Sequence, residues 1–126
     1  MPARIVRAAT LRPRVLRDGW ATETDYLGHR SGAHSVSLRV YNLRPRGGPG
    51  PYHWHTGSES VYYVLAGAIA VRLDNDVHLL GPGDLAFMPP KMPHSVANGG
   101  AEEAVVLELY APADADFVVL PDEPGA

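Results

Sequence analysis

Turn-forming residues punctuate this chain at short intervals. Arg44-Pro45-Arg46-Gly47-Gly48-Pro49-Gly50-Pro51, Asp74-Asn75-Asp76, Gly81-Pro82-Gly83-Asp84, Pro89-Pro90 and Asn98-Gly99-Gly100 all carry turn or loop chemistry. Around them apolar and polar residues alternate, as in Val36, Leu38 and Val40, in Ile69, Val71 and Leu73, and in Val105, Leu107 and Leu109. A period of two puts alternate side chains on one face of a strand. No stretch sustains the apolar repeat of about 3.6 residues that a helix needs. Short strands with turns about every 8–12 residues predict an all-β sandwich or barrel.

The chain reads as one domain in three parts. Residues 1–33 form an N-terminal arm and edge strands. The arm, residues 1–13, carries Pro2 and Pro13 without a clear period, and it either frays or crosses to a partner subunit. Arg14 to Arg17 reads as a short strand, Asp18-Gly19 as a turn, and residues 20–33 as loop or short edge strand. Residues 34–110 form the core barrel. Within it, Val61-Tyr62-Tyr63-Val64-Leu65-Ala66 is aromatic and β-branched, the composition of a strand buried on both faces. Residues 111–126 form a tail in which Phe117 to Leu120 reads as an edge strand or an outer packing segment.

A chain of 126 residues can bury a real core without a staple. The absence of cysteine excludes disulfides, thiolate ligands and cysteine nucleophiles, and it suits a reducing compartment. The net charge of −3 is spread along the chain, with no basic stripe for nucleic acid. No apolar run matches a secretory signal or a membrane span. The expectation is a soluble cytoplasmic protein with a small-molecule substrate and no nucleic-acid or membrane partner. It is expected to be a homodimer, because open barrel edges and the arm need cover.

Chemistry concentrates in Pro51-Tyr52-His53-Trp54-His55-Thr56-Gly57-Ser58-Glu59-Ser60. On a strand, His53 and His55 point to the same face, about 6–7 Å apart along the backbone. That separation suits one first-row metal ion. His94 follows the turn Pro89-Pro90-Lys91-Met92-Pro93 and could close the same site. Trp54 alternates away from the pair, and His29, His34 and His78 read as ordinary surface residues.

These residues resemble the cupin family, whose fold is a double-stranded β-helix or jelly-roll barrel. The family's first motif runs glycine, five residues, His-x-His, three or four residues, a glutamate, six residues and a glycine. Gly47, His53, His55 and Gly67 match it here. The second runs glycine, five residues, Pro-x-Gly, two residues, a histidine, three residues and an asparagine. Gly83, Pro89, His94 and Asn98 match, with Lys91 in the glycine's place. The resemblance implies a divalent transition metal (Fe, Zn, Ni, Mn or Cu) held by His53, His55 and His94.

The fourth ligand stays open. Counting forward from His55 selects Glu59, whereas counting back from Gly67 selects Ser60. A slip of one residue moves a strand side chain to the other face. With Ser60 inward the site is three histidines and water; with a bulge, Glu59 turns in as a ligand or a catalytic carboxylate.

Three more residues bear on chemistry. Tyr62 shares the phase of Ser60 and is either a core aromatic or a pocket proton donor. Glu108 alternates with the apolar residues Val105, Leu107 and Leu109, so it is expected to face solvent. With the phase inverted it becomes a pocket carboxylate and candidate general base. Arg39 has the same two readings, the second as an anchor for an anionic substrate. By resemblance, the open metal site implies an enzyme of oxygenase type or of cyclase/isomerase type. The competing reading is a non-catalytic cupin that binds a metal or a small molecule.

Overall fold

Eleven strands follow one another in the computed structural model, which describes residues 3–121. They are β1 (Arg14–Val15), β2 (Ala21–Leu27), β3 (Ser37–Leu43), β4 (His53–Trp54), β5 (Glu59–Ala66), β6 (Ile69–Leu73), β7 (Asp76–Leu80), β8 (Leu85–Met88), β9 (His94–Asn98), β10 (Ala104–Ala111) and β11 (Val118–Val119). One sheet has the order β1-β2-β3-β10-β5-β8 and the other β11-β4-β9-β6-β7. The pairings are antiparallel throughout. This is the jelly-roll arrangement expected from the alternation and the turns. No helix among the described residues is long and apolar enough to cross a membrane.

Local chemistry explains the chain reversals. Leu73 pairs with Asp76, leaving Asp74-Asn75 as a tight two-residue hairpin loop. Asp74 takes φ +54, the left-handed conformation that Asp and Asn tolerate best after glycine. Gly67, which ends β5, has φ +74, and a Cβ there would meet Glu103 O at 2.7 Å and Ala104 Cα at 2.8 Å. Only glycine fits that position.

The core lies between the sheets. Leu43, Val64, Ile69, Val71, Met88 and Val106 are its largest fully buried apolar side chains. Each contributes about 1.5–3 kcal/mol by leaving water. A cavity adjoins this core, lined in part by the core residues Tyr62 and Val96.

Strand phase and strand order correct four expectations. On β10 the inward set is Ala104, Val106, Glu108 and Tyr110, while Val105, Leu107 and Leu109 face outward. On β3, Arg39 and Tyr41 share the inward phase of buried Ser37 and Leu43. The outer face carries its own apolar rows across the sheet. One is Leu27–Leu38–Leu109–Val61–Phe87 and the next is Thr24–Val40–Leu107–Tyr63–Leu85. The apolar set therefore does not mark the core face. β5 is likewise buried on one side only: Tyr62 and Val64 point in, while Tyr63 and Leu65 are exposed. Finally, β2 is not an edge but lies between β1 and β3, with Glu23 turned inward.

Candidate metal centre

His53 sits directly opposite His94 in the β4–β9 ladder. His55 follows two residues after His53. The three rings pack with centroids 4.2 Å apart for His53–His94, 5.1 Å for His53–His55 and 5.4 Å for His55–His94. One ligand atom from each lies within 4.8 Å of the others, and all three residues are buried.

Each imidazole is oriented by a backbone carbonyl. His53 Nδ1 is 2.8 Å from Pro51 O, His55 Nδ1 is 2.6 Å from Asp116 O, and His94 Nδ1 is 2.8 Å from Met92 O. A carbonyl oxygen only accepts, so each Nδ1 carries the proton and each Nε2 keeps its lone pair. The Nε2 atoms of His55 and His94 are buried with no hydrogen-bond partner. A buried acceptor without a partner is costly, and a cation supplies what the protein does not. Burial, aided by the neighbouring imidazoles, lowers the His53 pKa to about 3 and that of His94 to about 4. Both rings are therefore neutral near pH 7, the form that binds metal. The residues present fit a divalent transition metal held by neutral nitrogen donors.

Glu59 lies outside this cluster. Its side chain is exposed on β5, whereas Ser60 is 1% exposed and turned inward opposite Met88. The strand keeps its alternation at this point, so no bulge brings the carboxylate round. Among the described residues the metal-ligating cluster is three histidines.

Aromatic rings enclose the trio. Tyr62, 2% exposed, meets His94 edge-on with centroids 5.9 Å apart. Tyr110 stacks on His55 at 5.6 Å and Phe117 on His53 at 4.1 Å. Phe117 arrives from the tail, where Val118 and Val119 pair with Trp54 and His53 as β11. Asp116 fixes this closure further by accepting the Thr56 N–H at 2.7 Å through Oδ1.

Beyond the histidines the cavity opens to about 370 Å³. Its far wall is polar and was not fully legible in the sequence. Glu108 is 5% exposed and sits opposite Arg39 on β3 and Tyr62 on β5. This reverses the expected solvent position, because β10 turns Glu108 into the cavity while its apolar residues cover the outside. Burial pushes its carboxyl up to about 7, although Arg39 and Tyr41 pull the other way. Tyr41 Oη lies 3.0 Å from Glu23 Oε2 and 3.1 Å from Glu108 Oε1. Glu23 also holds Arg14 at 3.1 Å and Arg39 at 3.4 Å. Burial and the carboxylates keep the Tyr41 and Tyr62 hydroxyls protonated, with pKa values well above the usual tyrosine value. Glu23, Tyr41 and Phe117 escaped the sequence analysis as site residues. For Tyr41 the available signal was its place two residues after Arg39, on the same strand face.

The model of the family described as "Cupin domain" matches residues 39–110, more than half the chain. The chain belongs to the cupin family. The match begins at Arg39 and ends at Tyr110, so it takes in the histidine trio, Tyr62 and Glu108. An uncharacterized protein of Methanocaldococcus jannaschii, MJ1618, is 42% identical to this cupin over 48 residues, which is 38% of each chain. Among solved structures, KdgF from a Halomonas species superposes with TM-score 0.77 at 18% identity, covering 88% of this chain and 94% of that one. The polyketide cyclase RemF from Streptomyces resistomycificus superposes with TM-score 0.76 at 23% identity, covering 98% of this chain and 90% of that one. At such identities the superpositions speak for the cupin fold alone.

Proposed function

We propose that this cupin is a metal-dependent enzyme that moves protons on a small, anionic, largely planar organic substrate, giving isomerisation or ring closure. The single observation that carries this reading is Glu108, a buried carboxyl on the wall of the cavity that His53 and His55 also line. A carboxyl with a pKa near the working pH can both take and return a proton. The likeness in fold to a protein named as a polyketide cyclase agrees with it.

His53, His55 and His94 would hold the metal; when bound, it supplies a Lewis acid for a substrate oxygen. The other residues bind, orient and exclude water. With Glu108 protonated, Arg14, Arg17 and Arg39 outnumber the carboxylates of Glu23 and Asp116 on the cavity wall, which then favours an anion even before a cation is added. Trp20, Tyr62, Tyr110 and Phe117 offer flat apolar surface to a ring or a conjugated chain. Glu108 exchanges the proton, and the Tyr62 hydroxyl, which burial keeps protonated, would donate a hydrogen bond.

The test is solvent-proton exchange into small keto acids and phenolic ketones in heavy water, followed by NMR with zinc-loaded protein. Exchange that falls by about 10²–10⁴-fold in Glu108→Gln supports the reading. Oxygen consumption by the iron-loaded protein without proton exchange would replace it with an oxygenase. Tight binding with neither reaction would leave a non-catalytic binding protein.

A further inference from the structure

Tyr41 has one hydroxyl proton and two carboxyl groups to satisfy. Its Oη lies 3.0 Å from Glu23 Oε2 and 3.1 Å from Glu108 Oε1. A phenol donates once. With both glutamates ionised, one of these contacts would bring two oxygen lone-pair regions together with no hydrogen between them. Both are hydrogen bonds only when one carboxyl is protonated and donates to the Tyr41 oxygen.

The surroundings decide which one. Glu23 is matched by two guanidinium groups, Arg14 at 3.1 Å and Arg39 at 3.4 Å. Glu108 forms no ion pair among the described residues. It is buried at the centre of the sheet, facing Arg39 and Tyr41 from β3, Tyr62 from β5 and Glu23 from β2, with Tyr110 next in phase on its own strand. The proton therefore belongs to Glu108, and the order of donation runs Glu108 to Tyr41 to Glu23. The outer end reaches the surface, because the Arg14 side chain is 71% exposed.

We propose that Glu108, Tyr41 and Glu23 form a proton relay that connects bound substrate with the Arg14 edge of the cavity. Its catalytic use rests on the function proposed above. When substrate gives up a proton, the electron pair stays on the substrate and a new O–H bond forms at Glu108 Oε2. The Oε1 proton of Glu108 passes to Tyr41, whose own proton passes to Glu23. Glu108 and Tyr41 end neutral, as they began, and Glu23 has gained the proton. Run in reverse, the relay returns a proton to a second substrate atom. No oxidant or reductant is involved. The device spares the buried wall from carrying a full negative charge beside the substrate.

The shared proton is testable without metal or substrate, so its failure is separable from failure of the proposed reaction. Infrared spectra of the full chain, taken as a function of pH, report the carbonyl stretch of a protonated carboxyl. We expect one such band near neutral pH that Glu108→Gln removes; if that variant fails to fold, Glu108→Asp assigns the band by shifting it. Glu23→Gln removes a neighbouring charge and frees the Tyr41 proton for Glu108, so the midpoint of the band should fall by about one pH unit. In a Tyr41→Phe background the same change should move the midpoint much less. An equal shift in both backgrounds would mean that the glutamates sense each other only through space, and the relay would be overturned. Absence of any band assignable to Glu108 near neutral pH would overturn it as well.

Discussion

His53 and His94 stand directly across the β4–β9 ladder with their rings 4.2 Å apart, each held by a carbonyl two residues before it in the chain. The carbonyls fix the tautomer, and the register fixes the distance. A site built this way is organised by backbone before any cation arrives, which is the condition for a well-placed metal.

The first prediction concerns Lys91, which occupies the place of the second motif's glycine. It has φ +64, a conformation unfavourable for residues with a Cβ. Its side chain is exposed, and its N–H donates to His55 O at 2.8 Å. Lys91→Gly removes the strain and keeps the hydrogen bond. Relief of strain outweighs the added freedom of the unfolded chain, so the variant should be more stable by about 1 kcal/mol. Urea unfolding checks this through an increased midpoint at unchanged slope.

Glu108 sets a pH dependence of stability. Its folded pKa of about 7 lies above the ordinary 4.5, so the folded protein binds more protons than the unfolded chain between those values. Its favourable contribution is complete below about pH 4.5 and is lost as the pH rises through about 7. His53 and His94 act in the opposite sense. Their folded pKa values, about 3 and about 4, lie below the ordinary 6.5, so the metal-free protein loses stability as the pH falls from 6.5. Comparing Glu108→Gln with the parent isolates the first effect. The parent should lose up to about 3 kcal/mol relative to the variant between about pH 5 and pH 8. A difference that stays constant with pH would mean that Glu108 is ionised at no cost.

Arg39 tests the charge of the substrate. It lies on the cavity wall over the Tyr110 ring, 5.2 Å from its centroid, and it shares Glu23 with Arg14. Arg39→Leu should raise KM for an anionic substrate by about 10-fold or more, with a smaller effect on kcat. A neutral analogue of the same shape should show no such penalty. Steady-state kinetics with the matched pair reads both.

Much of the fold was legible because alternation and turn chemistry act locally. His-x-His at a spacing of two forces a shared face, and counting back from Gly67 puts Ser60 in the inward phase, where the structure has it. The phase of β3 and β10 was not legible. A period of two says that Val105, Leu107 and Leu109 share a face but not which face is inside. Here the outer face is apolar and part of the inner face is polar, so the usual assumption inverts. Arg39, Tyr41 and Glu108 became cavity residues for that reason. Glu23 was hidden in a segment with no apolar signal, and Phe117 in a tail whose position depends on pairing with a strand more than 60 residues earlier.

The most direct measurement is the metal content of untagged protein, taken for the parent, His53→Ala and Glu59→Ala. The account predicts near-stoichiometric divalent transition metal in the parent and in Glu59→Ala, whose exposed carboxylate touches nothing in the site, and its loss in His53→Ala. Loss in Glu59→Ala as well would contradict the three-histidine site. A parent that holds no metal and takes none up on reconstitution would contradict the metal centre altogether.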